Sequence, residues 1–161
     1  YFGGSWGNYY LIMYFPEVWS YELFEMYLER KVNPWSQKGF FYSTDYENYS
    51  GRKKYAEETA GGYYACRMGI LEKMLKNKRQ NSCLALRFIS NEYNVPLGVW
   101  VCREATRKSL NEKPISFATQ ELMFKYAVEL IRRKFGFDIQ LLLNKSKLLQ
   151  EKKQQKRLVE F

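Results

Sequence analysis

Residues 45–67 read DYENYSGRKKYAEETAGGYYACR and carry four carboxylates, Asp45, Glu47, Glu57 and Glu58. Carboxylates that converge on Mg²⁺ are the working parts of metal-dependent nucleases, so these four are the best acidic set for that chemistry. Such enzymes usually place one acid on a strand and a Glu-x-Lys pair on the next. Here the apolar stretches that suit strands hold no acid before Glu104, and the match at Glu151-Lys152-Lys153 falls in a basic tail. Glutamates at a helix start also serve to offset the helix dipole. A non-catalytic role is therefore the preferred expectation, with a nuclease as the alternative. The chain has no His, which removes His-based general acid–base catalysis. Cys66, Cys83 and Cys102 are far apart with no Cys-x-x-Cys pair, so neither a zinc site nor a disulfide framework is expected among them. An odd, scattered set of thiols suits a reducing compartment.

Arg67 raises a different question. At about 100° per residue, with Tyr64 at zero, Leu71 falls at about −20°, Met74 at about −80° and Arg67 between them at about −60°. A guanidinium inside an apolar arc needs a partner. Asp45, Glu47, Glu57 and Glu104 are the candidate acids, and a bound phosphate is the other possibility. Arg103 and Arg107 project side by side if the chain is helical there, and they too need an acid or an anion between them. The chain holds 26 Lys and Arg against 17 Asp and Glu, a formal charge of +9. That balance favours polyanions, chiefly nucleic acid. Arg52, Lys53, Lys54, Arg103 and Arg107 are the expected phosphate-binding set.

The chain ends Gln155-Lys-Arg-Leu158-Val-Glu-Phe161. A Gln followed by an aliphatic residue at +3 and an aromatic at +6 has the spacing of peptides that dock on a sliding clamp. One helical turn puts the +3 and +6 side chains on one face, where both enter an apolar pocket, while the Gln reaches a separate polar site. The usual second aromatic, at +7, is not present.

These residues must be positioned by elements legible as follows. With 161 residues and 46% hydrophobic content, the chain has enough apolar material for one compact domain. Residues 9–15, YYLIMYF, read as a buried strand. Pro16 is placed to open a helix over 17–30, where Trp19, Leu23 and Tyr27 recur at a spacing of four. Residues 31–55 show no period and read as an irregular surface stretch. A helix is expected over 60–78, with Tyr64, Met68, Leu71 and Leu75 as its apolar seam. Residues 83–89 and 97–102 read as two strands joined by a short hairpin connection. A further helix fits 117–135, with Phe124, Val128, Ile131 and Phe135 on one face and Gly136 as its stop. From about Asn144 the composition turns basic, which suggests a helical extension or tail over 144–161 after a domain of 1–143. The fold class expected is α+β: a small sheet packed with about three helices and a basic C-terminal helix or tail. No apolar run is long enough to span a bilayer. The first residue is Tyr1, so the chain is expected to be part of a longer protein.

Several of these stretches, taken in order, resemble a known family. DYE…GRKKYAEE…GGYYACR, then PLGVWVCREATR, then a terminal QKRLVEF are similar to the C-terminal half of the archaeal Nre DNA-repair proteins. The likeness covers nearly the whole chain. It implies a cytoplasmic repair protein that binds DNA and the sliding clamp PCNA, the latter through Gln155, Leu158 and Phe161. It also implies that a Cys-rich zinc motif would lie in a preceding N-terminal region, with no cofactor in this segment. It supplies no catalytic residues.

Overall fold

The structure, a computed structural model, describes residues 1–28, 41–94 and 97–156, with side chains to 154. It divides into two compact units, Tyr1–Pro114 and Ile115–Phe161. The α+β class holds.

The first unit is built on one sheet. Its strands are β1 (Phe2–Ser5), β2 (Asn8–Phe15), β3 (Tyr21–Tyr27), β4 (Phe41–Glu47) and β5 (Ser82–Ile89), in the spatial order β1-β2-β5-β3-β4. β5 is central and buried along its whole length, which suits its nearly continuous apolar sequence SCLALRFI. It runs antiparallel to β2 and parallel to β3. Two helices complete the unit: α1 (Ala60–Asn77) and α2 (Trp100–Asn111). Tyr10, Ile12, Tyr21, Leu23, Cys83 and Ala85 from one sheet face form a core with Tyr63, Cys66, Ile70 and Met74 of α1 and Ala105 and Leu110 of α2. The helices approach closely at Gly69, where an added Cβ would lie 3.0 Å from the Thr106 methyl.

Three expected elements change type. Residues 21–27 form a strand, not a helix, because a spacing of four is also twice the strand period of two. Within 31–55, Phe41–Glu47 is a strand whose inward positions are Ser43, Asp45 and Glu47. Polar residues on the buried side erase the usual hydrophobic alternation. The apolar stretch at 97–102 enters a helix at Trp100, so the expected hairpin does not form and β5 pairs with β2 and β3 instead. The helical period shows only over a longer window: Val101, Cys102, Ala105, Thr106, Ser109 and Leu110 are the buried positions.

The second unit has α3 (Gln120–Phe135), α4 (Gln140–Lys145) and α5 (Lys147–Lys156). Thr119 caps α3 by accepting from the Leu122 amide, and Gly136 ends it at φ 67°. Ile131, Phe137, Ile139, Leu142, Leu143, Leu148 and Leu149 are buried. Asn144, where the composition shifts, lies inside α4.

Candidate functional site

The sheet register decides where the charged residues meet. Glu25 lies opposite Arg87, and Arg87 opposite Tyr10; Leu23 lies opposite Asp45, and Tyr21 opposite Glu47. Directly opposed residues share a face, so these acids all point toward the side that carries α1. Three guanidinium–carboxylate pairs result.

In the first, Arg52 lies 3.0 Å from Asp45 and donates to the carbonyls of Tyr46, Lys54 and Tyr55. The other Asp45 oxygen accepts from the amides of Glu58 and Thr59 and from the Thr59 hydroxyl. Asp45 therefore caps the approach to α1, a task that the Thr59 hydroxyl would otherwise perform. In the second, Glu47 accepts from the Trp19 indole at 2.7 Å and from Arg67 Nε at 2.8 Å. The Arg67 guanidinium lies 5.4 Å from the Trp19 ring centroid, and its side chain keeps 33% exposure.

The third pair is the most enclosed. Arg87 gives Nη1 to Glu25 at 2.5 Å, and Nε and Nη2 to Asn8 Oδ1 at 2.9 and 2.5 Å. Burial opposes its charge, but Tyr10 and Glu25 beside it more than offset this, so Arg87 holds its proton more firmly than usual. Gly62 is needed at the start of α1 because a Cβ there would come within 2.3 Å of the Glu25 carboxylate. Sequence reasoning missed Glu25, Arg87 and Asn8. The available signal was the presence of charged residues inside each apolar run, Glu22 and Glu25 in YELFEMY and Arg87 in SCLALRFI.

The expected acidic cluster is thus divided. Asp45 and Glu47 are buried and each is bound to its own guanidinium, while Glu57 and Glu58 are exposed. Among the described residues, no group of three or more His, Cys, Asp or Glu is arranged to hold a metal ion. Glu104 belongs to a separate surface network, pairing with Arg103 at 3.1 Å and Arg107 at 2.7 Å; Arg107 also pairs with Glu72 at 2.5 Å. The hydrogen bonds from Arg107 hold the Glu72 carboxyl below its ordinary range. Lys53 and Lys54 are exposed. Burial pushes the Cys66 thiol up to about 12 and raises Cys83 and Cys102 as well, so none is a nucleophile at neutral pH. Gln155 lies in α5 with its side chain outside the described residues, and Leu158 and Phe161 lie outside them altogether.

α1 carries one further feature. Its buried residues are Gly62, Tyr63, Cys66, Gly69, Ile70 and Met74. The seam expected from sequence lies to one side of these: Met68 is 49% and Leu75 79% exposed, with Tyr64 and Leu71 between buried and exposed. Beside that stripe is a groove of about 400 Å³ between Trp19, Arg67, Leu71 and Met74 and the helix end at Lys78 and Arg79.

The Asp45–Arg52 and Glu47–Arg67 pairs thus lie between β4 and α1. Residues 47–161 match the family described as archaeal Nre, C-terminal. The chain belongs to the archaeal Nre family. Its aligned residues are 39% identical over 102 residues to a DNA repair protein NreA of Haloferax volcanii, covering 63% of this chain and 24% of that protein. They are 35% identical over 111 residues to DNA repair protein NreA of Archaeoglobus fulgidus, covering 69% and 28%. DNA repair protein NreB of the same organism is 32% identical over 148 residues, covering 91% and 36%. The chain thus spans between a quarter and about a third of these Nre relatives. No solved structure matches it. No helix among the described residues is long and apolar enough to cross a membrane.

Proposed function

We propose that this chain is the C-terminal, clamp-tethered part of an archaeal DNA-repair factor, and that it contacts DNA without cleaving it. The observation that carries the reading is the Gln155, Leu158, Phe161 spacing in a member of a family whose relatives are named DNA repair proteins. Leu158 and Phe161 enter the apolar pocket of the PCNA clamp, with Phe161 as the anchor, since one buried aromatic often dominates a small interface. Lys153, Lys156 and Arg157 act mainly on the association rate, whereas the Lys152 ammonium is buried and is not expected to contribute.

Calorimetry of the 150–161 peptide against purified PCNA tests this. Binding is expected for the native peptide and none for Leu158→Ala with Phe161→Ala. Equal heats from both peptides would refute it.

The non-catalytic reading is supported by the pairing of Asp45 with Arg52 and amide donors, and of Glu47 Oε1 with Arg67 and the Trp19 indole. For DNA, Lys53 and Lys54 offer exposed ammonium groups. Arg52 contributes through the same loop, although its guanidinium is engaged there. Arg103 and Arg107 sit in exposed ion pairs, which are weak in water and open to exchange for phosphate. Affinity for duplex DNA should fall with salt by roughly 0.9 log unit per contact per decade. Affinity independent of salt, or unchanged by Arg103→Ala with Arg107→Ala, would remove this surface from the account.

A further inference from the structure

α1 has two apolar stripes; the inner one fills the core, and of the outer one only Leu71 packs partly against it. The inner stripe, from Tyr63 through Ile70 to Met74, is buried. The outer stripe, Met68, Leu71 and Leu75, follows the i, i+3, i+7 spacing of a helix that packs against another helix. Yet Leu75 is 79% and Met68 49% exposed. These residues span about 10 Å along the helix axis, the length of two turns of a partner helix.

The stripe borders the groove at Trp19, and the groove is cationic. Arg67 uses only Nε on Glu47, and its two Nη groups have no hydrogen-bond partner among the described residues. Lys78 and Arg79 are exposed, and their side chains form no ion pair among the described residues. Cations at a helix C-terminus do offset the dipole. That accounts for Lys78 and Arg79 but not for an outward Leu75 one turn earlier, nor for the half-open Arg67.

From this geometry we infer that the outer face of α1 docks an acidic, amphipathic helical segment of another protein. Its apolar side would lie on Met68, Leu71 and Leu75, and its carboxylates would reach Arg67, Lys78 and Arg79. Charge complementarity selects this occupant. The chain's own residues 145–157 hold a strong excess of Lys and Arg, and a second copy carries the same formal charge of +9, so neither is rich in the carboxylates that this surface selects. Single-stranded nucleic acid would want open aromatic faces for its bases. Here the flexible Met and Leu side chains suit aliphatic anchors, and Trp19 is 7% exposed beneath Arg67. The inference does not depend on the clamp peptide or on DNA contact.

The test uses the full chain and a displayed library of random short peptides, with a Leu75→Ser, Lys78→Glu, Arg79→Glu chain for counter-selection. Enriched peptides should combine Leu or Phe at helical spacing with Asp and Glu. They should move the methyl resonances of Met68, Leu71 and Leu75 saturably. Lys78→Glu with Arg79→Glu should weaken them by about tenfold or more at low salt and by less at high salt. Circular dichroism of the same variants should be unchanged, since the replaced side chains are exposed. The proposal is overturned if no peptide is enriched, if enriched peptides lack acidic residues, or if the charge reversals leave affinity unchanged. It is equally overturned if oligo(dT) produces those methyl shifts and the peptides do not.

Discussion

Replacing Arg87 with Met removes the donors that it gives to the buried Glu25 Oε1 and Asn8 Oδ1 side-chain oxygens, at 2.5 to 2.9 Å. Met keeps most of the volume, so the loss is electrostatic rather than a cavity. Both Arg87 and Glu25 are more than nine-tenths buried, so the screening that weakens surface pairs does not apply. Breaking such a pair from one side costs about 3–5 kcal/mol, because a carboxylate is left uncompensated in a poor solvent. For a chain of this size that corresponds to a fall in Tm of roughly 6–20 °C. Adding Glu25→Gln removes the charge and should recover a coupling energy on the order of 1–3 kcal/mol. Urea unfolding of the four chains of this cycle measures both effects. A loss below about 1 kcal/mol, or a loss unchanged by Glu25→Gln, would refute the claim that this pair is held by desolvated charge.

Gly62→Ala places a methyl 2.3 Å from the Glu25 carboxylate and 3.4 Å from Arg87 Nη1, so the pair must shift. The expected destabilisation is about 1–3 kcal/mol despite the better helix propensity of Ala, read from the same urea curves. The thiols give an independent check on the core. With all three buried and Cys66 raised to about 12, a disulfide reagent at pH ~8 should label no cysteine quickly in the native chain and three in denaturant. Fast labelling of Cys66 in the native chain would mean that the α1–sheet contact is open.

The sequence by itself determined the elements whose local chemistry is unambiguous. β2 and β5 are apolar runs bounded by polar residues, α1 and α3 are long enough to show a helical period, and Gly136 stops α3 in the left-handed region. It also showed that Arg67 lies in an apolar arc and needs a partner, and the spacing of Gln155, Leu158 and Phe161 is wholly a property of the linear chain. What it left open has a common cause, which is long-range pairing. Glu47, 20 residues away, takes Arg67, while Glu57 stays in solvent, because only the β3–β4 register turns Asp45 and Glu47 inward. Arg87 meets Glu25 across 62 positions and Asn8 across 79, contacts that no local window contains. The same limit explains the mistaken elements. A spacing of four at Trp19, Leu23 and Tyr27 satisfies both a helix and a strand, and only pairing with β4 and β5 selects the strand. On α1 two apolar stripes compete for the core, and the narrow side, with Gly62 and Gly69, wins. Glycines let the helix approach the Glu25–Arg87 pair and Thr106 closely. That packing choice, invisible to periodicity, leaves Met68 and Leu75 facing water.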